Sequence, residues 1–187
     1  MKFLNKFNNK KNIRFSSFKK TFEVCLERNL KVIVETGTSR GKTKFFIINH
    51  YNWKDGMSTP MFAEYAYNYN GELHSCDISL INIRNAKKFT NQFSQNITFY
   101  NLDSLFFLKN FNKKIDLLYL DSLDGHDIVA SSQHQLNEIK IGLNKLHNKS
   151  LVLLDDKGSK TKLSINFLKD SNYKIIYETD YQVLFSK

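Results

Sequence analysis

The chain has 187 residues, 41% of them hydrophobic, and a formal net charge of +10, the length of one ordinary domain and too short for two comfortable ones. With a mean hydropathy of −0.44 and no run near the ~18 apolar residues of a membrane span, the composition excludes a membrane-spanning or disordered chain. The first 30 residues hold no apolar secretory core, and Cys25 and Cys76 match neither a disulfide framework nor a zinc spacing, so a cytoplasmic location with two free thiols is expected.

The charge is unevenly spread. Lys2, Lys6, Lys10, Lys11, Arg14, Lys19 and Lys20 fall in residues 1–20 with no acid among them, while the other 167 residues carry 21 basic and 18 acidic groups. Lysine outnumbers arginine 24 to 4, the pattern of an AT-rich coding bias. A basic arm can track phosphates, so nucleic acid stays open as a partner without being favoured; a solvated arm is the expectation. The organisation read from the chain is a basic arm over 1–20 and a single domain over 21–187, with a polar and aromatic insertion at 42–58.

Within the arm, Phe3, Leu4, Phe7, Phe15 and Phe18 suggest a short helix covering an edge of the domain. Thr21 to Asn29 reads as a helix from the spacing of Phe22, Leu26 and Leu30. Lys31 to Thr36 is a β-branched run suited to a buried parallel strand, and Gly37 and Gly41 open the loop after it. The insertion shows no period and is expected to form a lid. Thr59 then reads as a helix N-cap and Pro60 as the first helical residue. Phe62, Tyr65, Ala66 and Tyr69 form the apolar stripe of that helix, closed by Asn70-Gly71.

From there strands and helices alternate. Strands are predicted over 72–76, 97–100, 115–120 and 151–154, helices over 81–93, 127–146 and 159–170, and a final pair of strands over 173–177 and 181–185 close enough for a hairpin. The alternation predicts an α/β doubly wound sheet. Ligands of such sheets lie off the carboxyl ends of the strands. Acids stand there repeatedly: Glu35, Asp77, Asp103, Asp121, Asp155 and Asp156. Gathered on one edge they repel one another, an arrangement suited to a cation or to several hydroxyls.

Val34-Glu35-Thr36-Gly37-Thr38-Ser39-Arg40-Gly41, followed by Asp77 after the second sheet strand, resembles the cofactor-binding pattern of class I S-adenosylmethionine-dependent methyltransferases. The resemblance covers residues 31–187. It implies a Rossmann-like seven-stranded sheet ending in an antiparallel hairpin, with Asp77 on the ribose hydroxyls and Asp103-Ser104 beside the adenine. It extends the cofactor set to Glu35, Gly37, Thr38, Gly41, Ser58 and Asp121. Asp77 follows Gly41 by 36 residues, where about 20 is usual in dinucleotide folds; the insertion accounts for the excess. A nicotinamide-dependent oxidoreductase is the rival on this fold, but it wants G-x-G-x-x-G where this loop has Gly37-x-x-x-Gly41. A non-catalytic nucleic-acid or partner-binding protein is the other alternative.

Asp121-Ser122-Leu123-Asp124-Gly125-His126 and Asp155-Asp156 are similar to the metal sites of catechol-type and macrocin-type O-methyltransferases. That similarity implies that Asp121, Asp155 and Asp156 hold Mg²⁺, a hard cation that prefers oxygen ligands, and that the acceptor is a small-molecule or sugar hydroxyl. Asp124 stands near the place of the macrocin-type base, and His126 is a second general-base candidate. His134 and Glu138, four residues apart on a helix, are read as a packing interaction. The Asn/Asp-Pro-Pro-aromatic loop of amino-methylating nucleic-acid enzymes and the Pro-Cys of cytosine C5 enzymes are both missing, since Pro60 is the one proline.

Overall fold

The computed structural model describes residues 1–39, 42–45, 48–55 and 57–187. In chain order the elements are α1 (Phe15–Glu27), β1 (Val32–Thr36), β2 (Lys42–Phe45), β3 (Ile48–Tyr51), α2 (Ser58–Asn68), β4 (Glu72–Cys76), α3 (Leu80–Phe89), β5 (Ile97–Tyr100), α4 (Ser104–Asn110), β6 (Ile115–Leu120), α5 (Ile128–Gly142), β7 (Leu146–Asp155), α6 (Lys162–Asp170), β8 (Lys174–Glu178) and β9 (Gln182–Ser186). Short 3₁₀ turns precede α1 (Lys2–Phe7) and α2 (Trp53–Asp55) and follow α3 (Asn91–Asn96) and α5 (Leu143–Lys145).

The main sheet has seven strands in the order β5-β4-β1-β6-β7-β9-β8. β4 and β6 flank β1 in parallel, β5 extends the sheet beyond β4, and β7 beyond β6. β9 runs antiparallel to β7, with Leu153 opposite Leu184, and the β8–β9 hairpin closes that edge. The expected α/β architecture with its terminal hairpin is therefore the observed one. The order reverses between β1 and β6, and the crevice at such a switch point is where open α/β sheets bind ligands.

Apolar side chains alternate between the two faces of each central strand because successive residues point to opposite sides. Ile33, Leu73, Leu117, Tyr119, Leu151 and Leu153 face α1 and α2, while Val34, Leu118, Leu120, Val152, Leu154 and Phe185 face α4, α5 and α6. The first face is aromatic: Phe18 meets Phe62 edge-on at 5.6 Å, Phe22 stacks on Tyr65 at 5.1 Å, and Phe62 meets Tyr119 at 5.3 Å. Leu4, Phe7 and Phe18 of the basic stretch belong to this core, and α1 runs without a break through residues 20 and 21. So the arm covers the sheet with its apolar side chains and leaves several of its lysines outside.

Several boundaries differ from expectation, each for a local reason. α4 was not predicted: its seven residues are too few to display a period, and Asp103 caps it by accepting from the Phe106 amide at 3.0 Å. The stretch read as an aperiodic insertion contains the antiparallel ribbon β2–β3. Leu146, expected at the end of a helix, starts the ten-residue β7 instead. α2 begins at Ser58 after a left-handed Met57 (φ 55°), so Thr59 does not cap the helix.

Thr59 turns inward to Glu35. The fully buried Glu35 carboxylate accepts from Ser58 Oγ (2.5 Å), Thr59 Oγ1 (2.8 Å) and Ser75 Oγ (2.5 Å). It thereby ties β1 to β4 and to the start of α2. Burial pushes this carboxyl up to about 7, against the pull of the three hydroxyls. The unfolded chain releases the same proton near its ordinary value of 4.5. Between these values the folded state holds more protons, so Glu35 makes stability fall as pH rises through that window, by about 3 kcal/mol in all. Glu35→Gln should remove that slope. Chemical denaturation at pH 5 and pH 8 should show the variant gaining on the wild type by a few kcal/mol at the higher pH; a difference independent of pH would contradict this account of Glu35.

Candidate functional site

A cavity of about 650 Å³ opens at the carboxyl ends of β1, β4, β6 and β7, lined among others by Gly37, Thr38, Asp77, Asn82, Asp121 and Asp124. A recess of about 120 Å³ adjoins it, sharing Gly37, Asp77 and Leu123 and reaching Cys76, Leu102, Asp103, Ser104 and His134. Together they form a polar mouth with a smaller, more apolar inner end, a shape common to ligand sites.

The loop after β1 floors the mouth. Gly37 has φ +85°, and a Cβ there would lie 2.0 Å from the Asp121 carbonyl oxygen, so both the backbone angle and the close passage over β6 demand glycine. Its amide donates to the Cys76 carbonyl (2.9 Å), while the Asp121 amide donates to that of Thr36 (2.8 Å). Asp77, directly after β4, accepts from the amides of Thr38 (3.1 Å) and Ser79 (2.6 Å) and from Asn82 Nδ2 (3.1 Å). A carboxylate offers about four acceptor sites, so Asp77 is held rigidly with acceptor capacity left over.

At the recess, Ser104 Oγ lies 2.8 Å from His134 Nε2, with Glu138 Oε1 at 3.7 Å from the same nitrogen. Interaction with buried Glu138 raises the His134 pKa, against the effect of burial. Of the pair read as packing, His134 itself lines the recess and Glu138 stands buried behind it.

The three expected metal ligands do converge. One oxygen each of Asp121, Asp155 and Asp156 lies within 4.8 Å of the others. The chain's own cations hold them, however. Arg14 Nε lies 2.6 and 2.8 Å from the two oxygens of Asp155, and Arg14 Nη2 lies 2.7 Å from Asp156 Oδ1. Lys160 Nζ donates to Asp121 Oδ1 (2.9 Å) and the Leu123 carbonyl (3.0 Å), and pairs with Asp156 Oδ2 at 3.1 Å. Asp155 also accepts from Tyr119 Oη (2.6 Å) and the Asp156 amide (2.8 Å). Burial works against both cations, but Asp155 keeps the Arg14 guanidinium charged and Asp121 the Lys160 ammonium, raising the pKa of each. Three carboxylates suit Mg²⁺ by type. As arranged here they do not fit it, because a guanidinium and an ammonium already provide the two positive charges.

The remaining candidates divide clearly. Glu35 and Ser58 bond to each other behind the loop and do not line the cavity. Gly41 lies outside the described residues. Thr38 lines the cavity and Asp103 the recess. Asp124 and His126 are exposed on the loop between β6 and α5, both along the cavity wall. Sequence reasoning missed Arg14, whose partner Asp155 lies 141 residues away, and Lys160, whose partners are Asp121, 39 residues away, and Asp156, only four residues before it. It also missed Asp127, which caps α5 at the Ala130 amide (3.0 Å).

The fold has counterparts among known proteins. No curated protein matches the sequence. Among solved structures, a methyltransferase of Podospora anserina with S-adenosylhomocysteine bound superposes with a TM-score of 0.64 at 12% identity, over 89% of this chain and 76% of that one. A Streptococcus mutans protein described as a methyltransferase, also in complex with S-adenosylhomocysteine, gives 0.64 at 10% identity over 91% and 97%. A Klebsiella pneumoniae protein described as an O-methyltransferase gives 0.60 at 14% identity over 90% and 79%. At such identities these likenesses establish the fold. A family model described as a methyltransferase domain matches residues 34–157, from the middle of β1 through the carboxylate cluster. The chain therefore belongs to this methyltransferase family and is a class I S-adenosylmethionine-dependent methyltransferase.

Proposed function

We propose that the protein methylates a hydroxyl oxygen of a small molecule or sugar. The observation that carries the reading is one cavity with a rigidly held acceptor, Asp77, on one side and two exposed proton acceptors, Asp124 and His126, on the other. The spare oxygen capacity of Asp77 suits the ribose hydroxyls of S-adenosylmethionine, and the recess by Asp103, Ser104 and Leu102 suits its adenine. When bound, that cofactor supplies a methyl group on a sulfonium sulfur, which keeps the electron pair of the broken C–S bond as the acceptor oxygen forms the new C–O bond. The chain's part is to position the two reactants, exclude water and take the hydroxyl proton. Asp124 or His126 receives it. Asp121, Asp155 and Asp156 already accept hydrogen bonds from Arg14 and Lys160, and Asp155 does not line the cavity.

A small acceptor is favoured over nucleic acid by the state of the basic stretch. Arg14 is committed to the carboxylates, Lys6 pairs with Glu64, and Leu4 and Phe7 are buried. Similar structures include proteins described as an rRNA methylase and as a ribosomal protein methylase, so the fold by itself does not choose the acceptor. Transfer of a labelled methyl group should appear on a panel of sugar and phenolic hydroxyls; label on RNA alone would overturn the small-acceptor reading.

Calorimetry with S-adenosylhomocysteine should show saturable binding, weakened by Asp77→Ala by about 1.5–3 kcal/mol, the loss typical of hydrogen bonds to a charged group. An unchanged dissociation constant would remove Asp77 from the cofactor site. On an acceptor identified by the panel, either Asp124→Asn or His126→Asn should lower kcat by about 10²-fold or more with cofactor affinity intact. Turnover near the wild-type rate in both variants would exclude this loop as the source of the base.

A further inference from the structure

We propose that Arg14 and Lys160 are built-in replacements for a divalent cation at the Asp121–Asp155–Asp156 cluster, so that this methyltransferase keeps the carboxylate triad of a metal site but runs without a metal. Three features of the cluster support this assignment.

The first is charge. Three carboxylates converging within 4.8 Å repel strongly in a poorly hydrated pocket. One guanidinium and one ammonium bring the same two positive charges as Mg²⁺.

The second is saturation. The ammonium of Lys160, 1% exposed, meets three oxygens, one from each of Asp121, Asp156 and the Leu123 carbonyl, matching its three N–H groups. Arg14 spends Nε on Asp155, Nη2 on Asp156 and Nη1 on the Lys54 carbonyl. Asp155, fully buried, already accepts from Arg14, Tyr119 and its neighbour's amide. A metal entering here would have to displace donors already fixed at hydrogen-bond distance, and would strand two buried cations.

The third is construction. Each cation comes from an element placed by the fold rather than from a mobile surface chain. Arg14 is the residue before α1, which is anchored by the buried Phe18 and Phe22. Ser17, one turn along α1, bonds Gln182 at the start of β9. Lys160 ends a tight turn in which its own amide and that of Ser159 donate to the Asp156 carbonyl, with Asp156 left-handed at φ 60°. That turn carries the ammonium back over the triad.

Arg14 also lines the cavity, whereas Lys160 and Asp155 do not. Arg14 is thus the cationic face of the cluster turned toward the reactants, and Lys160 is the positioning residue behind it.

The test is metal binding, read without turnover, so its outcome does not depend on the acceptor or on the proposed hydroxyl methylation. Mn²⁺ titrated into the full-length wild type and followed by electron paramagnetic resonance should stay free in solution at millimolar concentration. Neither Mg²⁺ nor EDTA should move the melting temperature or the affinity for S-adenosylhomocysteine. Lys160→Met uncovers one net negative charge. It should bind Mn²⁺ at least about tenfold more tightly than the wild type, a modest share of what one nearby charge is worth at partial burial. Added Mn²⁺ or Mg²⁺ should then recover part of that variant's lost melting temperature. One Mn²⁺ bound per wild-type chain, or cofactor affinity lost on EDTA treatment, would overturn the proposal whether or not the variant folds. A folded Lys160→Met with no more Mn²⁺ affinity than the wild type would overturn it as well, since the lysine would not then be what stands in the metal's place.

Discussion

A carboxylate with no exposed surface sits at the end of β7, between β6 and β9. Ionised and unpaired, Asp155 would cost several kcal/mol in that position. Its charge is tolerated because Arg14 spans both oxygens and Tyr119 donates to one of them. The pairing joins two parts of the chain 141 residues apart, so the N-terminal segment must lie across the sheet before the site exists. That requirement explains why a stretch rich in lysine also carries Phe18 and Phe22: their burial against Phe62, Tyr65 and Tyr119 brings Arg14 to Asp155. Tyr119 belongs to both systems, with its ring in the aromatic core and its hydroxyl on the carboxylate.

The same logic orders the other side of the crevice. Glu35 is buried behind the loop that follows its own strand and is satisfied by three hydroxyls rather than a cation. Thr59, one of the three, also receives the Ser39 amide at 2.8 Å, so the carboxyl that fixes α2 fixes the loop as well. Gly37 then passes so close to the Asp121 backbone that any side chain would collide. The loop, Asp77 and Asp121 are thereby held in one arrangement before any ligand arrives, which is the condition for positioning two reactants. Charge divides the crevice in two: Asp77 is held by neutral donors and keeps acceptor capacity, whereas the cluster beyond β6 is closed internally by cations.

Strand runs such as Lys31–Thr36 and Ile115–Leu120, the acid after each, and the final pair of strands could be read locally, because burial on both faces of a parallel strand leaves a continuous apolar signature. From these followed the α/β class, the terminal hairpin and the resemblance that pointed to the methyltransferase family. Short elements could not be read this way. The seven residues of α4 show no period, and the sequences of Lys42–Phe45 and Ile48–Tyr51 lack the apolar–polar alternation expected of a half-buried strand. The Asp121–Asp155–Asp156 convergence was legible, since neighbouring strands must bring their ends together.

What filled that convergence was not legible. Arg14 looked like one more charge in a basic arm, and Lys160 like one lysine among 24; the local hints were an arginine where this chain otherwise prefers lysine and a lysine four residues after Asp156. By itself the sequence determined the succession of the seven sheet strands, the apolar stripes of the longer helices and the edge on which the acids gather, because each follows from a pattern within about ten residues. Tertiary structure alone decided which groups neutralise those acids. Coulomb pairing depends on distance in space and on exclusion of water, and neither is encoded in the spacing of residues along the chain.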